Sequence, residues 1–197
     1  MEKMKRRYLL VLIALVMVLI AGCTMQKSEK KADNISKILT NEAFNNVLLN
    51  TSDSDVIIQT GKNYQVKYHG SKKIEPSVEI KNGQLFVKQQ GNVSSRNNFS
   101  EIVIIIPKAV KLTQLEIKAE EGDITLKNSK IDKNLHASSS EGDVAVSETK
   151  FTGYNLSTEE GSIAVNGNRY ASSSYKKHTA SKNVLTVKSQ EGDITVK

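Results

Sequence analysis

The chain has no tryptophan, a single cysteine, three histidines, and only four phenylalanines and six tyrosines in 197 residues. An aromatic core is therefore excluded, and Ile, Val and Leu must supply the interior, as stacked β-structure prefers. One cysteine, Cys23, rules out an intrachain disulfide. His69, His136 and His178 are scattered, with no pair at metal-ligand spacing. Also missing are a Gly-x-Ser-x-Gly nucleophile elbow, a phosphate-binding glycine loop and the Gly-Gly-x-Gly-x-Asp phrase of calcium-binding β-rolls. These absences leave no cofactor and no catalytic constellation to propose. The enzyme class still to be weighed is a polysaccharide lyase or hydrolase on a β-helix. Glycoside cleavage needs two carboxylates at a set separation, one of them in a pKa-raising pocket, and acids on exposed corners lack that environment. The expectation is a protein that is not an enzyme.

A long apolar run is also lacking. Tyr8 to Ile20 is about 13 residues, short of the roughly 20 that a membrane helix needs. It follows the charged segment Lys3, Lys5, Arg6, Arg7 and precedes Ile20-Ala21-Gly22-Cys23, the layout of a secretory signal peptide. The small residues before Cys23 resemble the bacterial lipobox. That resemblance implies cleavage between Gly22 and Cys23 and transfer of a diacylglyceryl group to the Cys23 sulfur. Palmitate-type acyl chains would then anchor the chain, each buried CH₂ adding about 0.8 kcal/mol. The sequence thus divides into a signal peptide at residues 1–22, a lipid-anchored flexible tether at 23–41 and a domain at 42–197.

Net charge adds little. The formal +7 includes four Lys/Arg and one Glu of the leader and a surplus of +2 on Thr24 to Thr40, so only +2 is left for the domain. A nucleic-acid binder would show a concentrated basic face instead.

What the sequence does contain is a phrase repeated four times: Glu121-Gly122-Asp123-Ile124, Glu141-Gly142-Asp143-Val144, Glu160-Gly161-Ser162-Ile163 and Glu191-Gly192-Asp193-Ile194. Alternating apolar residues precede each glycine (Leu115/Ile117/Ala119 in the first copy) and follow it (Ile124/Leu126), each half with the period of a strand. Five steps, an odd number, separate the last inward residue of one half from the first of the next. A straight strand would therefore turn the second half the wrong way. The chain must bend at Gly122, Gly142, Gly161 and Gly192, where glycine enters positive φ without a Cβ penalty. The expected fold is all-β: a short β-solenoid, a β-helix-like stack of strand, Gly corner and strand. Relaxed copies surround Ser54 and Gly83; Asn82-Gly83 makes Ser77 to Lys88 a hairpin first, an N-terminal β-hairpin or cap. The unbroken run Ile102 to Ile106 reads as a central strand buried on both faces.

Together, Asp53-Ser54-Asp55-Val56-Ile57-Ile58, then Glu101 to Pro107, then the repeated Glu-Gly-Asp-Ile units, resemble the bacterial "putative adhesin" β-strand-repeat family, a domain of unknown function. The resemblance covers most of residues 44 to 197. It implies a non-catalytic cell-surface lipoprotein on the extracytoplasmic face of the cell membrane, of the Gram-positive type, acting as an adhesin or envelope interaction module. Its partner would be an envelope protein or glycan. An envelope-stress regulatory lipoprotein is the alternative, and a polysaccharide-active enzyme a third.

Three features are candidates for contact. Stacked coils bring Glu121, Asp123, Glu141, Asp143, Glu160, Glu191 and Asp193 into a carboxylate ladder, read as solvated corners rather than calcium ligands. The interval between Gly161 and Gly192 carries Arg169, Tyr170, Tyr175, Lys176 and Lys177, suited to a glycan or polyanion, or else an extra strand. Asn92 to Ser100 is a second polar loop. Lastly, the chain ends at Lys197 inside a strand, which predicts an open edge at the final coil.

Overall fold

The computed structural model describes residues 34–91 and 99–197. The signal peptide, Gly22, Cys23, the first part of the tether and most of the loop Asn92 to Ser100 lie outside the described residues. Each glycine phrase splits between two sheets, which is how the odd step count resolves. β8 (Gln114–Glu121), β10 (Leu135–Glu141), β12 (Gly153–Glu160) and β16 (Val184–Glu191) lie in one sheet. Their continuations β9 (Ile124–Lys127), β11 (Val144–Ser147), β13 (Ile163–Val165) and β17 (Ile194–Val196) lie in the other. The relaxed copy at Ser54 does the same with β2 (Asn46–Thr51) and β3 (Asp55–Gly61), and so do β6 (Gln84–Lys88) and β7 (Glu101–Pro107). Inward residues of the two arms, such as Leu115, Ile117, Ile124 and Leu126, are almost wholly buried and form one continuous core.

Neighbouring units pair in parallel and in register: Leu115 faces Leu135, which faces Leu185, and Ile124 faces Val144, which faces Ile194. Like residues therefore stack on like, and the architecture is all-β and solenoid-like, with two sheets that do not close on each other. The remaining strands are antiparallel and lie outside the parallel units. At one end these are β4 (Gln65–Ser71) on β7, β1 (Asn34–Thr40) on β4, and β5 (Ser77–Lys81) on β6; at the other, β14 (Asn168–Tyr170) on β13 and β15 (Ser174–Lys177) on β12.

Spatial order departs from chain order at both ends. The nine-stranded sheet runs β1-β4-β7-β3-β9-β11-β17-β13-β14 and the eight-stranded sheet β15-β12-β16-β10-β8-β2-β6-β5. The last unit, β16–β17, thus sits between the Gly142 and Gly161 units. The expected open edge at the final coil is wrong, because β17 pairs with β11 on one side and β13 on the other. On the return side of the stack Asn183 fixes this insertion, its Nδ2 donating to the carbonyls of Ile131 at 2.6 Å and Lys150 at 3.5 Å.

Two further expectations need correction. The tether does not extend to residue 41: Ile35 and Leu39 of β1 pack on the core, which makes Asn34–Thr40 a paired strand. The run Ile102 to Ile106 is central but not buried on both faces. Ile102, Ile104 and Ile106 are inside, whereas Val103 and Ile105 stay half-buried on the outer surface. The hairpin at Asn82-Gly83 is present, with φ of 52° and 75° at its two turn residues.

Aromatics, scarce in the sequence, are spent at the two ends. Phe44 and Tyr64 meet edge to face at 5.1 Å at one end, and Tyr170 and Tyr175 pack at 4.5 Å at the other. Residues 114 to 147, the middle of the stack, contain no Phe or Tyr. No helix among the described residues is long and apolar enough to cross a membrane.

Candidate functional site

The corners prove to be joints between units. Asp55 Oδ1 accepts from the Asp123 N–H, Asp123 Oδ1 from Asp143 N–H, Asp143 Oδ1 from Asp193 N–H and Asp193 Oδ1 from Ser162 N–H, at 2.7–2.8 Å. Each aspartate hands one oxygen to the next unit's backbone, in spatial rather than chain order. Ser162 stands where the ladder ends, since an antiparallel strand lies beyond it and offers no further corner. The Ser162 N–H, followed by the Ser162 side chain, holds the Asp193 carboxyl below the usual range, while burial pushes Asp55 up against the opposing pull of the Asp123 N–H. Beside the ladder run Glu121, Glu141, Glu191 and Glu160, neighbours in register. No group of three or more His, Cys, Asp or Glu suited to hold a metal occurs among the described residues.

At the Ser54 corner a buried polar cluster takes the place of glycine. Gln89 Nε2 donates to Ser54 Oγ at 2.7 Å and to the Ile74 carbonyl at 2.9 Å, and Ser54 and Ser100 hydroxyls meet at 2.7 Å. Nearby, the buried Tyr68 hydroxyl donates to the Ser71 carbonyl and has its pKa raised to about 12, chiefly by burial.

The excursion between Gly161 and Gly192 splits its candidate residues. Alternation points Tyr170 and Tyr175 inward, where with Tyr154 they cover the end of the core. Arg169 pairs with Ala164 on the nine-stranded sheet and Lys176 with Asn155 on the eight-stranded one. Arg169, Lys176 and Lys177 are all exposed, but they do not converge on one site.

A concave surface exists elsewhere, on the outer face of the eight-stranded sheet. Three shallow depressions run end to end across its strands. The first, about 310 Å³, is lined by Leu48, Asn50, Phe86 and Lys88. The second, about 610 Å³, shares Asn50 and Lys88 and extends to Lys118 and Ser138. The third, about 530 Å³, shares Ala119, Ser138 and Ser140 and reaches Ser157, Lys188 and Ser174. Along the floor one row of residues is in register from strand to strand: Lys88, Asn50, Lys118, Ser138, Lys188, Ser157. Lysine alternates with a small polar residue. Lys118 Nζ lies 2.9 Å from Glu116 Oε1, whereas neither Lys88 nor Lys188 has an ion-pair partner among the described residues. On the corner side of this row stand Glu120 and Glu159.

Sequence reading missed this row. Its signal was the outward position four residues before each corner, namely Asn50, Lys118, Ser138, Ser157 and Lys188. Those residues share no chemistry until the strand order is known.

The sequence model of the Toastrack DUF4097 family matches residues 44–171 and, in an overlapping match, 108–197. No curated protein matches the sequence. Among solved structures, a "putative cell adhesion protein" from Clostridium sporogenes superposes with a TM-score of 0.56 at 20% identity, over 83% of this chain and 97% of its own. A "putative adhesin" from Bacteroides fragilis matches at TM-score 0.32 and 12% identity, over 83% and 97%. A "putative lipid binding protein" from Parabacteroides distasonis matches at 0.33 and 9%, over 85% and 98%. The first similarity is one of fold; the other two are too distant to carry an argument.

Proposed function

The chain belongs to the Toastrack DUF4097 family, and from that membership we propose that it is a non-catalytic, adhesin-like binding module of the cell surface. The observation that carries this reading is the long shallow groove on the outer face of the eight-stranded sheet, built on rigid parallel strands rather than on loops. Broad, polar and open, it suits an extended partner better than a small substrate, for which an enclosed pocket would be needed. The Clostridium sporogenes protein of similar fold is named for cell adhesion, which agrees with this role.

Cys23 carries a diacylglyceryl group after cleavage behind Gly22 and holds the module on the extracytoplasmic face of the membrane, where an envelope protein or glycan is its partner. The antiparallel strands beside β6 and β7 act as the N-terminal cap of the parallel stack. Substituting Cys23→Ser is expected to abolish metabolic labelling of the protein by palmitate.

Site-specific photocrosslinking in living cells tests the binding role. A crosslinker placed at Ser138 or Ser157 should capture an envelope component, and one at Thr125 or Ala145, on the outer face of the other sheet, should not. Equal capture from both sheets, or none from either, would contradict the assignment.

A further inference from the structure

The lysine row gives the groove a period. Adjacent strands stand roughly 4.8 Å apart, so lysines on every second strand are spaced roughly 9.5 Å, about the length of one disaccharide in an extended glycan. We infer that the groove binds an extended anionic polysaccharide bearing one acidic group per disaccharide, lying across the strands with its charges on Lys88, Lys118 and Lys188. This rests on the binding-face reading above and names its ligand class.

Several features support the assignment beyond spacing. Asn50 and Ser138 fill the positions between lysines, and Ser157 follows Lys188, where the hydroxyls of the neutral sugar would lie and hydrogen-bond. At one end Phe86 and Leu48 offer a partly exposed apolar surface on which the flat face of a sugar ring packs. Glu120 and Glu159 on the corner side repel acidic groups that stray from the lysine row, and so discriminate against a polymer charged at every unit.

The arrangement also predicts a competition. Glu116 holds Lys118 at 2.9 Å and must give it up when an acidic sugar arrives.

The test uses the full acylated chain in detergent micelles, with fluorescein-labelled hyaluronan oligosaccharide as the probe, because it carries one carboxylate per disaccharide. Binding is read by fluorescence anisotropy. Hyaluronan should bind and weaken as salt rises, with chitin oligosaccharides, neutral, and inorganic polyphosphate, densely charged, both binding more weakly. Lys118→Gln and Lys188→Gln should each weaken binding about tenfold, the size of a lost charge-assisted contact. Lys127→Gln, on the other sheet, should have no effect, and Glu116→Gln should strengthen binding by freeing Lys118. Polyphosphate binding as tightly as hyaluronan, or an unaltered Lys188→Gln affinity, would overturn the assignment. If hyaluronan fails while crosslinks from Ser138 and Ser157 persist, the polymer class falls and the binding face stands. If the crosslinks also fail, both fall.

Discussion

Gly142 shows what a corner glycine does. Its φ is 131°, and a Cβ there would collide with the Gly122 carbonyl of the neighbouring unit. Positive φ and close stacking both demand glycine, and only the first demand is legible in sequence. Gly142→Ala should therefore cost about 2–4 kcal/mol in chemical denaturation, from backbone strain and overpacking together. A loss within ordinary surface scatter would show that the corner has slack. Ser139 predicts the opposite sign. Its hydroxyl is buried without a hydrogen-bond partner, while its register neighbour on β8 is already alanine, Ala119. Ser139→Ala should raise stability by about 1 kcal/mol, seen as a higher melting temperature. Two of the corner aspartates, Asp193 and Asp55, add a pH dependence that solvated carboxylates would lack. With its folded pKa lowered, Asp193 contributes fully above the unfolded value of about 3.9, and that contribution is lost as pH falls through the folded value. Asp55, raised by burial, runs the other way, since protonation relieves it. Asp193→Asn keeps an acceptor for the Ser162 N–H and should flatten the fall of the urea midpoint below about pH 4. An acid dependence as steep as that of the unaltered protein would contradict this.

Strands were easier to read than their neighbours. The alternation around Gly122, Gly142, Gly161 and Gly192 gives both arms of those four units, and the odd step count requires the bend, because a side chain's direction follows from backbone geometry alone; the relaxed copy around Gly83 is a hairpin within one sheet, and β6 finds its second arm in β7 instead. Asn82-Gly83 announced its hairpin. Asn166-Gly167, with φ of 51° and 81°, makes another between β13 and β14, and the same dipeptide signal was there to be used. What local pattern could not give was which unit stacks on which, since all four present equivalent apolar faces. Asn183 and the antiparallel excursion decide it through contacts far apart in sequence. The insertion changes what the C-terminus means. Deleting residues 191–197 removes β17 from the interior of the nine-stranded sheet, exposing the unpaired edges of β11 and β13 and losing the buried Ile194 and Val196. Burial of the two side chains alone contributes about 1.5–3 kcal/mol each, against a typical total of about 5–15. Circular dichroism of the truncated chain should show no cooperative melt. A sharp transition would mean that β17 is peripheral after all.

For the whole molecule, the strand order creates the candidate site. In chain order the row would read Lys118, Ser138, Ser157, Lys188; with the last unit inserted it alternates as Lys118, Ser138, Lys188, Ser157. The same insertion makes the aspartate ladder continuous from Asp143 through Asp193 to Ser162. Fold class and corners were therefore open to sequence reasoning, whereas the groove was not, because its period belongs to the stack and not to the chain. Disulfide trapping in a Cys23→Ser background tests this order most directly. Paired Cα atoms of neighbouring strands fall within reach of a disulfide, and residues two strands apart, at roughly 9.5 Å, do not. Ser138→Cys combined with Lys188→Cys should crosslink on mild oxidation, and Ser138→Cys combined with Ser157→Cys should stay reduced. The reverse result, with 138 joined to 157 and not to 188, would place the units in chain order and contradict the account.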